Sequence, residues 1–182
     1  MDNMIYFITG NKNKFEEVKA ILPEVEQLDI ELTEIQEINS REIIKAKLEE
    51  ALKFYEGEFI VEDTSLYLDA LNGLPGPLIK WFLKTIGNEG LYDLAGKFGN
   101  DRAKARVIIG YARKKGDYNF FEGEIRGRIV EPRGDQGFGW DSIFVPEGHA
   151  KTFAEMDQGE KNEVSMRRMA LNKLKEFLKY AA

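Results

Sequence analysis

The hydrophobic positions of this chain change period along its length, and each change marks a different kind of element. Met4-Ile5-Tyr6-Phe7-Ile8 is an apolar run of the length of a buried strand. Phe15, Val18, Ile21 and Leu22 then recur at helical spacing, and Pro23 stops that helix. Val25–Leu32 alternates loosely and predicts a second strand. Asn39 or Ser40 can cap a helix reaching about Tyr55, with Ile44, Leu48, Ala51, Leu52 and Tyr55 on one face. Gly57 closes it, and Phe59-Ile60-Val61 predicts a short buried strand running into Glu62-Asp63-Thr64-Ser65.

Gly73-Leu74-Pro75-Gly76-Pro77 is a rigid turn leading into a helix over Leu78–Ile86, which carries Lys80 and Trp81. Leu91, Leu94, Ala95 and Phe98 predict another short helix. The period then drops to two: Ala103, Ala105, Val107, Ile109 and Tyr111 alternate, as do Phe121, Gly123, Ile125, Gly127 and Ile129. With Lys115-Gly116-Asp117 between them, these runs predict a long β-hairpin. Glu131–Gly139 reads as loop, Ile143-Phe144-Val145 as a last strand and Lys161–Tyr180 as a C-terminal helix. The fold class is α/β, with a mixed sheet whose long strands are antiparallel.

Composition narrows the function classes. A chain of 182 residues, 43% hydrophobic and 32% charged, has the makeup of one globular domain, with or without a small lobe. No apolar run approaches the ~20 residues that cross a bilayer, so no membrane partner is expected. Asp2 and Asn3 begin no secretory signal, and there is no cysteine, so a cytoplasmic location is expected. Without cysteine, and with His149 as the single histidine, thiolate nucleophiles and histidine-rich metal sites are excluded. His149 sits in the turn Pro146-Glu147-Gly148-His149 and is expected at the surface. A net charge of −6 argues against a nucleic-acid polymer but not against a small phosphorylated ligand with magnesium.

Thr9-Gly10-Asn11-Lys12-Asn13-Lys14 stands between the first strand and the first helix. Strand, Gly/Asn turn and helix in that order aim free N–H groups and a positive dipole end at one small volume, where an anion binds. The spacing is not that of a Walker loop. Glu62 and Asp63 are neighbours on a strand, so they point to opposite faces, and either could ligate magnesium or activate water. Glu34, Glu37 and Glu42 offer further carboxylates. Phe138-Gly139-Trp140-Asp141 reads two ways, as a stacking surface for a base or as an aromatic anchor pinning the loop.

These motifs, in this order, resemble the inosine triphosphate pyrophosphatase family over nearly the whole chain. The Thr9–Lys14 segment with Glu17, Val61-Glu62-Asp63-Thr64-Ser65, and the Gly73–Pro77 turn with Ile79-Lys80-Trp81-Phe82 carry its first half. Gly127-Arg128-Ile129, Pro132-Arg133-Gly134, Phe138–Asp141, Thr152-Phe153-Ala154-Glu155-Met156, Glu160-Lys161-Asn162 and Ser165 with Arg167 follow. The resemblance implies an elongated mixed sheet with flanking helices, two lobes around a central nucleotide cleft, a homodimer, and Mg2+-dependent release of pyrophosphate from ITP, dITP and XTP.

It implies site residues as well. Thr9, Gly10, Asn11, Lys12, Asn13 and Lys14 would hold the phosphates, and Lys47, Thr64 and Lys80 would also contact the nucleotide. Glu34 and Asp63 would hold the metal, Asp63 accepting the proton; placing Glu34 requires one extra residue before Glu42. Phe138, Gly139, Trp140, Asp141, Lys161, Met166 and Arg167 would form the base pocket. Where the family reads Ser-His-Arg, this chain has Ser165-Met166-Arg167, and a thioether supplies no N–H donor to a purine oxygen. Two rival readings are a non-catalytic nucleotide-binding module and a related pyrophosphatase acting on other nucleotides.

Overall fold

A buried strand, β1 (Ile5–Ile8), pairs in parallel with β2 (Val25–Leu28) on one side and with β3 (Glu58–Leu68) on the other. Ile5 stands opposite Val25 in one ladder and opposite Glu58 in the other. This computed structural model describes residues 4–181, so Asp2 and Asn3 lie outside it. Parallel neighbours need a crossover, supplied by α1 (Lys12–Ile21) and by α2 (Ser40–Phe54). Asparagine caps both helices: Asn11 Oδ1 accepts from the Lys14 amide at 3.1 Å and Asn39 Oδ1 from the Arg41 amide at 3.1 Å.

β4 (Pro75–Gly76) pairs antiparallel with β3, and α3 (Ile79–Thr85) and α4 (Gly87–Lys97) follow. The predicted hairpin is β5 (Arg102–Ala112) and β6 (Tyr118–Ile129). β7 (Phe144–Pro146) lies antiparallel to β6, and the chain ends in α5 (Gln158–Val164) and α6 (Met166–Ala181). The seven strands form one mixed sheet in the order β2-β1-β3-β5-β6-β7, with β4 on β3. The α/β class with a mixed sheet is what the sequence predicts.

The chain divides into two compact units, Met1–Asp63, Val107–Gly123 and Arg167–Ala182 against Thr64–Arg106 and Glu124–Met166. The first has its core where α2 packs on β1, β3 and β5, through Ile8, Ile44, Leu48, Ala51, Phe59, Val61, Ile108 and Ala112. Residue 110 must be glycine for that approach, because a Cβ there would overlap the Ile44 methyl. On α6, Phe177 stands edge-on to Tyr111 at 5.8 Å and meets Phe121 at 5.4 Å. The second unit centres on an aromatic trio: Trp140 and Phe153 each lie within 5.5 Å of Phe144 between ring centroids.

Several boundaries differ from the sequence reading. β2 stops at Leu28, and the helix predicted over Leu78–Ile86 is α3 alone, with α4 starting at Gly87. The predicted C-terminal helix is two helices broken at Ser165, whose backbone is extended (φ −73, ψ 144). β3 is eleven residues long, where three were expected. Glu62 and Asp63 therefore lie inside a strand and not at its end, and both are buried.

Candidate functional site

In the first unit, the turn after β1 is held from several directions. The Thr9 amide donates to the Leu28 carbonyl at 3.2 Å, and Gln27 Nε2 donates to the Thr9 carbonyl at 2.8 Å. Thr9 Oγ1 accepts from the Asn11 amide at 3.1 Å. Because the Asn11 side chain takes the Lys14 amide, the first-turn amides of Lys12 and Asn13 have no partner within the helix. Gly10, Asn11, Lys12 and Asn13 are exposed, as an anion cradle requires.

Beside that turn lies a buried ion cluster. Arg167, 2% exposed, donates from Nε to Glu62 Oε2 at 2.7 Å and from Nη2 to Glu62 Oε1 at 2.8 Å. Its Nη1 donates to Glu17 Oε2. Lys14 Nζ lies 3.2 Å from Glu62 Oε1. Two cations thus face two carboxylates, which makes burial of these charges tolerable. The sequence reading named Glu17 only within a motif. Its signal was a carboxylate next to Val18 on the apolar side of a helix.

Asp63 follows Glu62 on β3 and is also buried. Glu34, in the segment after β2, receives an ion pair from Lys47 of α2 at 2.6 Å, so two site residues named by resemblance meet. Among the described residues, no group of three or more His, Cys, Asp or Glu could by itself hold a metal ion. Magnesium is commonly bound through one or two carboxylates, with water and substrate phosphates completing its octahedron. Glu34 and Asp63 are hard oxygen donors of that kind and fit such an ion.

In the second unit, Asp141 Oδ2 accepts from the Phe138 amide at 2.8 Å and from Lys161 Nζ at 2.7 Å. The Lys161 ammonium stands 4.8 Å from the Phe138 ring centroid and 5.6 Å from that of Phe153. Gly137 (φ 76) precedes this turn, and a Cβ there would overlap the Asp141 carboxylate. Asn88, absent from the sequence reading, donates through Nδ2 to the Gly139 carbonyl at 2.9 Å and to Ser142 Oγ at 3.0 Å. Trp140 is the anchor, 5% exposed and packed on Phe144. Phe138 is the ring of this motif that stays half-exposed.

The remaining named residues fall as follows. Thr64 is half-buried on β3, and Lys80 is exposed near the start of α3. Neither Lys12 nor Lys80 forms an ion pair among the described residues. Met166 is buried at the head of α6. His149 is exposed, as expected from its turn.

The sequence profile of the Ham1 family matches residues 5–177. The chain belongs to the Ham1 family. It is 44% identical over 178 residues to an inosine triphosphate pyrophosphatase of Schizosaccharomyces pombe, covering 96% of this chain and 94% of that one. It is 40% identical over 190 residues to an inosine triphosphate pyrophosphatase of Saccharomyces cerevisiae, covering 97% and 96%. Among solved structures it resembles the Staphylococcus aureus Ham1 protein, with a TM-score of 0.83 at 26% identity, covering 98% of this chain and 100% of that one. It also resembles a nucleoside-triphosphatase / dITP/XTP pyrophosphatase of Mycobacterium abscessus, with a TM-score of 0.73 at 27% identity, covering 93% and 97%.

The family match takes in the Asn11-capped turn, the Arg167 cluster and the Lys161–Asp141 pair alike, since all lie within residues 5–177. These features therefore belong to the family-matched body of the chain. Among the described residues, no helix is long and apolar enough to cross a membrane.

Proposed function

We propose that this Ham1-family protein hydrolyses non-standard purine nucleoside triphosphates, ITP, dITP and XTP, to the monophosphate and pyrophosphate. We further propose that it is Mg2+-dependent and works as a homodimer in the cytoplasm, without a nucleic-acid polymer as partner. The observation that carries the activity is 44% identity, over 96% of the chain, to a protein named inosine triphosphate pyrophosphatase.

The geometry supports a division of labour. The α1 N-terminus, with Thr9, Gly10, Asn11, Lys12, Asn13 and Lys14, receives the phosphates, and Lys47, Thr64 and Lys80 add contacts to the nucleotide. Glu62 keeps the Lys14 ammonium close to that turn. Asp63 takes the proton of a water attacking the α-phosphorus, as the bond to the pyrophosphate oxygen breaks. Magnesium bound through Glu34 and Asp63 would neutralise charge on the phosphate oxygens.

Phe138, Gly139, Trp140, Asp141, Lys161, Met166 and Arg167 form the base pocket in this reading. Lys161 is a donor only, oriented by Asp141 and Phe138. Facing purine position 6, it suits the oxygen of hypoxanthine or xanthine and opposes the amino group of adenine.

Pyrophosphate release from ITP, XTP, GTP and ATP, with and without magnesium, tests the reading. Faster turnover of ITP and XTP, dependent on the metal, supports it. Tight ITP binding with no pyrophosphate released would make the protein a binding module instead. Light scattering at micromolar concentration tests the homodimer, and a mass near 20.9 kDa would contradict it.

A further inference from the structure

The outer part of the β5–β6 hairpin carries an unusual charge arrangement. The Ile129 amide donates to the Asp101 carbonyl at 2.7 Å, which sets the register of the two strands. That register places Arg102 opposite Arg128 and Lys104 opposite Arg126. Ala103, Ala105 and Ile129 are buried, so alternation turns all four cations to the opposite face. Like charges directly opposed across strands are destabilising, and here two such pairs adjoin.

The four side chains line one wall of a cavity of about 600 Å³, which β7 and the turn after it help to close. Lys104 has a partner in Glu124 at 3.2 Å and lies over the Tyr67 ring at 5.1 Å. The guanidinium groups of Arg102, Arg126 and Arg128 form no ion pair among the described residues. Asp69, Asp101 and Glu147 also line the cavity without pairing to them.

Opposed arginines without an ion-pair partner, side by side on one sheet face, can bind an anion with several charged oxygens. Asp69, Asp101 and Glu147 of the same lining offset part of their charge. The cavity has the volume of a small-ligand site. Among the described residues the lining holds no Phe, Tyr or Trp; its one ring is the exposed imidazole of His149, so the cations dominate that wall. The chain's net charge of −6 opposes an extended polyanion, whose charge would run beyond the four cations.

We infer that this cavity is a second site, for a compact inorganic oligophosphate such as pyrophosphate or tripolyphosphate. None of its residues is assigned to the nucleotide, so the inference stands or falls apart from the proposed activity.

The test titrates sodium pyrophosphate without divalent cations, at ionic strength matched with sodium chloride, by calorimetry and thermal melting. The proteins are wild type, Lys14→Ala, Arg102→Gln/Arg126→Gln and Arg102→Lys/Arg126→Lys. The glutamine pair removes one cation from each opposed pair, at exposed positions.

Lys14→Ala should keep a pyrophosphate site that the glutamine variant loses, with at least a tenfold weaker affinity there. The lysine variant should bind within about threefold of wild type. ITP turnover by the glutamine variant should stay within twofold of wild type, and its melting temperature without ligand should rise as the repulsion is relieved. An unchanged isotherm in the glutamine variant would overturn the inference. So would loss of all pyrophosphate binding in Lys14→Ala, or an effect that chloride reproduces in full. Absence of ITP turnover in wild type would sink the proposed activity while leaving this result readable.

Discussion

Arg167 grips Glu62 with two parallel hydrogen bonds, Nε to Oε2 at 2.7 Å and Nη2 to Oε1 at 2.8 Å, across 105 residues of sequence. Both side chains are buried, and Glu17 takes a third donor of the same guanidinium. A fork of this kind fixes orientation as well as charge. It ties α6 to β3 and α1.

Arg167→Ala would leave the buried carboxylates of Glu17 and Glu62 without the guanidinium that joins them, Lys14 still standing 3.2 Å from Glu62. Breaking a buried pair by removing one partner costs about 3–5 kcal/mol. Urea unfolding should show a loss of that order. Arg167→Lys should fall between, because an ammonium keeps the charge but cannot form the parallel pair. A loss below about 1 kcal/mol for the alanine variant would mean that the cluster contributes little to stability.

Asp63→Asn should nearly abolish ITP turnover while leaving the fold intact. The amide has the shape of the carboxylate but accepts no proton, and loss of a general base typically costs ~10²–10⁴-fold. Steady-state rates, with circular dichroism as the check on folding, measure it. Activity within threefold of wild type would remove Asp63 from the role.

The hairpin was legible because the outer parts of β5 and β6, Arg102–Arg106 and Glu122–Ile129, alternate charged residues with small or apolar ones. The class of fold followed from that and from the amphipathic spacing of α1 and α2. β3 was not legible in full: it is buried on both faces, so it shows no alternation, and two carboxylates in its middle imitate a strand end. Their partner, Arg167, is distant in sequence, and no local pattern announces it. The break at Ser165 was hidden for a related reason. Its flanks contain no glycine or proline, and the Asp157–Glu160 capping box that starts α5 lies before the segment read as helix. For Phe138-Gly139-Trp140-Asp141, composition leaves stacking and anchoring equally open. The structure divides the two rings: Trp140 is the anchor, and Phe138 is half-exposed with the Lys161 ammonium over its ring.

Tyr111 predicts an alkaline limit to stability. Burial first, then its hydrogen bond to Glu58, holds the phenol well above its ordinary pKa, although Arg113 opposes the shift. In the unfolded chain a tyrosine titrates near ~10. The folded state therefore keeps a proton that the unfolded state sheds, and the stabilisation is complete below that pH. It is lost progressively as pH rises toward the folded value. Urea midpoints from pH 8 to 11.5 should fall more steeply in wild type than in Tyr111→Phe. Parallel curves would show that this phenol does not set the limit.

Base choice is the sharpest consequence of the role proposed for Lys161. Lys161 is held by Asp141 at 2.7 Å and stands over Phe138, so its donors are oriented before any ligand arrives. A donor left facing the adenine amino group costs ~1–3 kcal/mol, roughly ten- to a hundredfold in kcat/KM. ITP and XTP should therefore be hydrolysed much faster than ATP. GTP should lie between, since guanine shares the 6-oxygen and differs by its 2-amino group. The buried Met166 bears on that last margin, because a thioether offers no donor where the Ser-His-Arg pattern implied by the resemblance would put an imidazole. Met166→His should widen the ITP-over-GTP ratio if the ring is the group that reads the base. An unchanged ratio would assign that reading to the backbone. Equal kcat/KM for ATP and ITP would remove Lys161 from the base pocket, even with the phosphate chemistry intact.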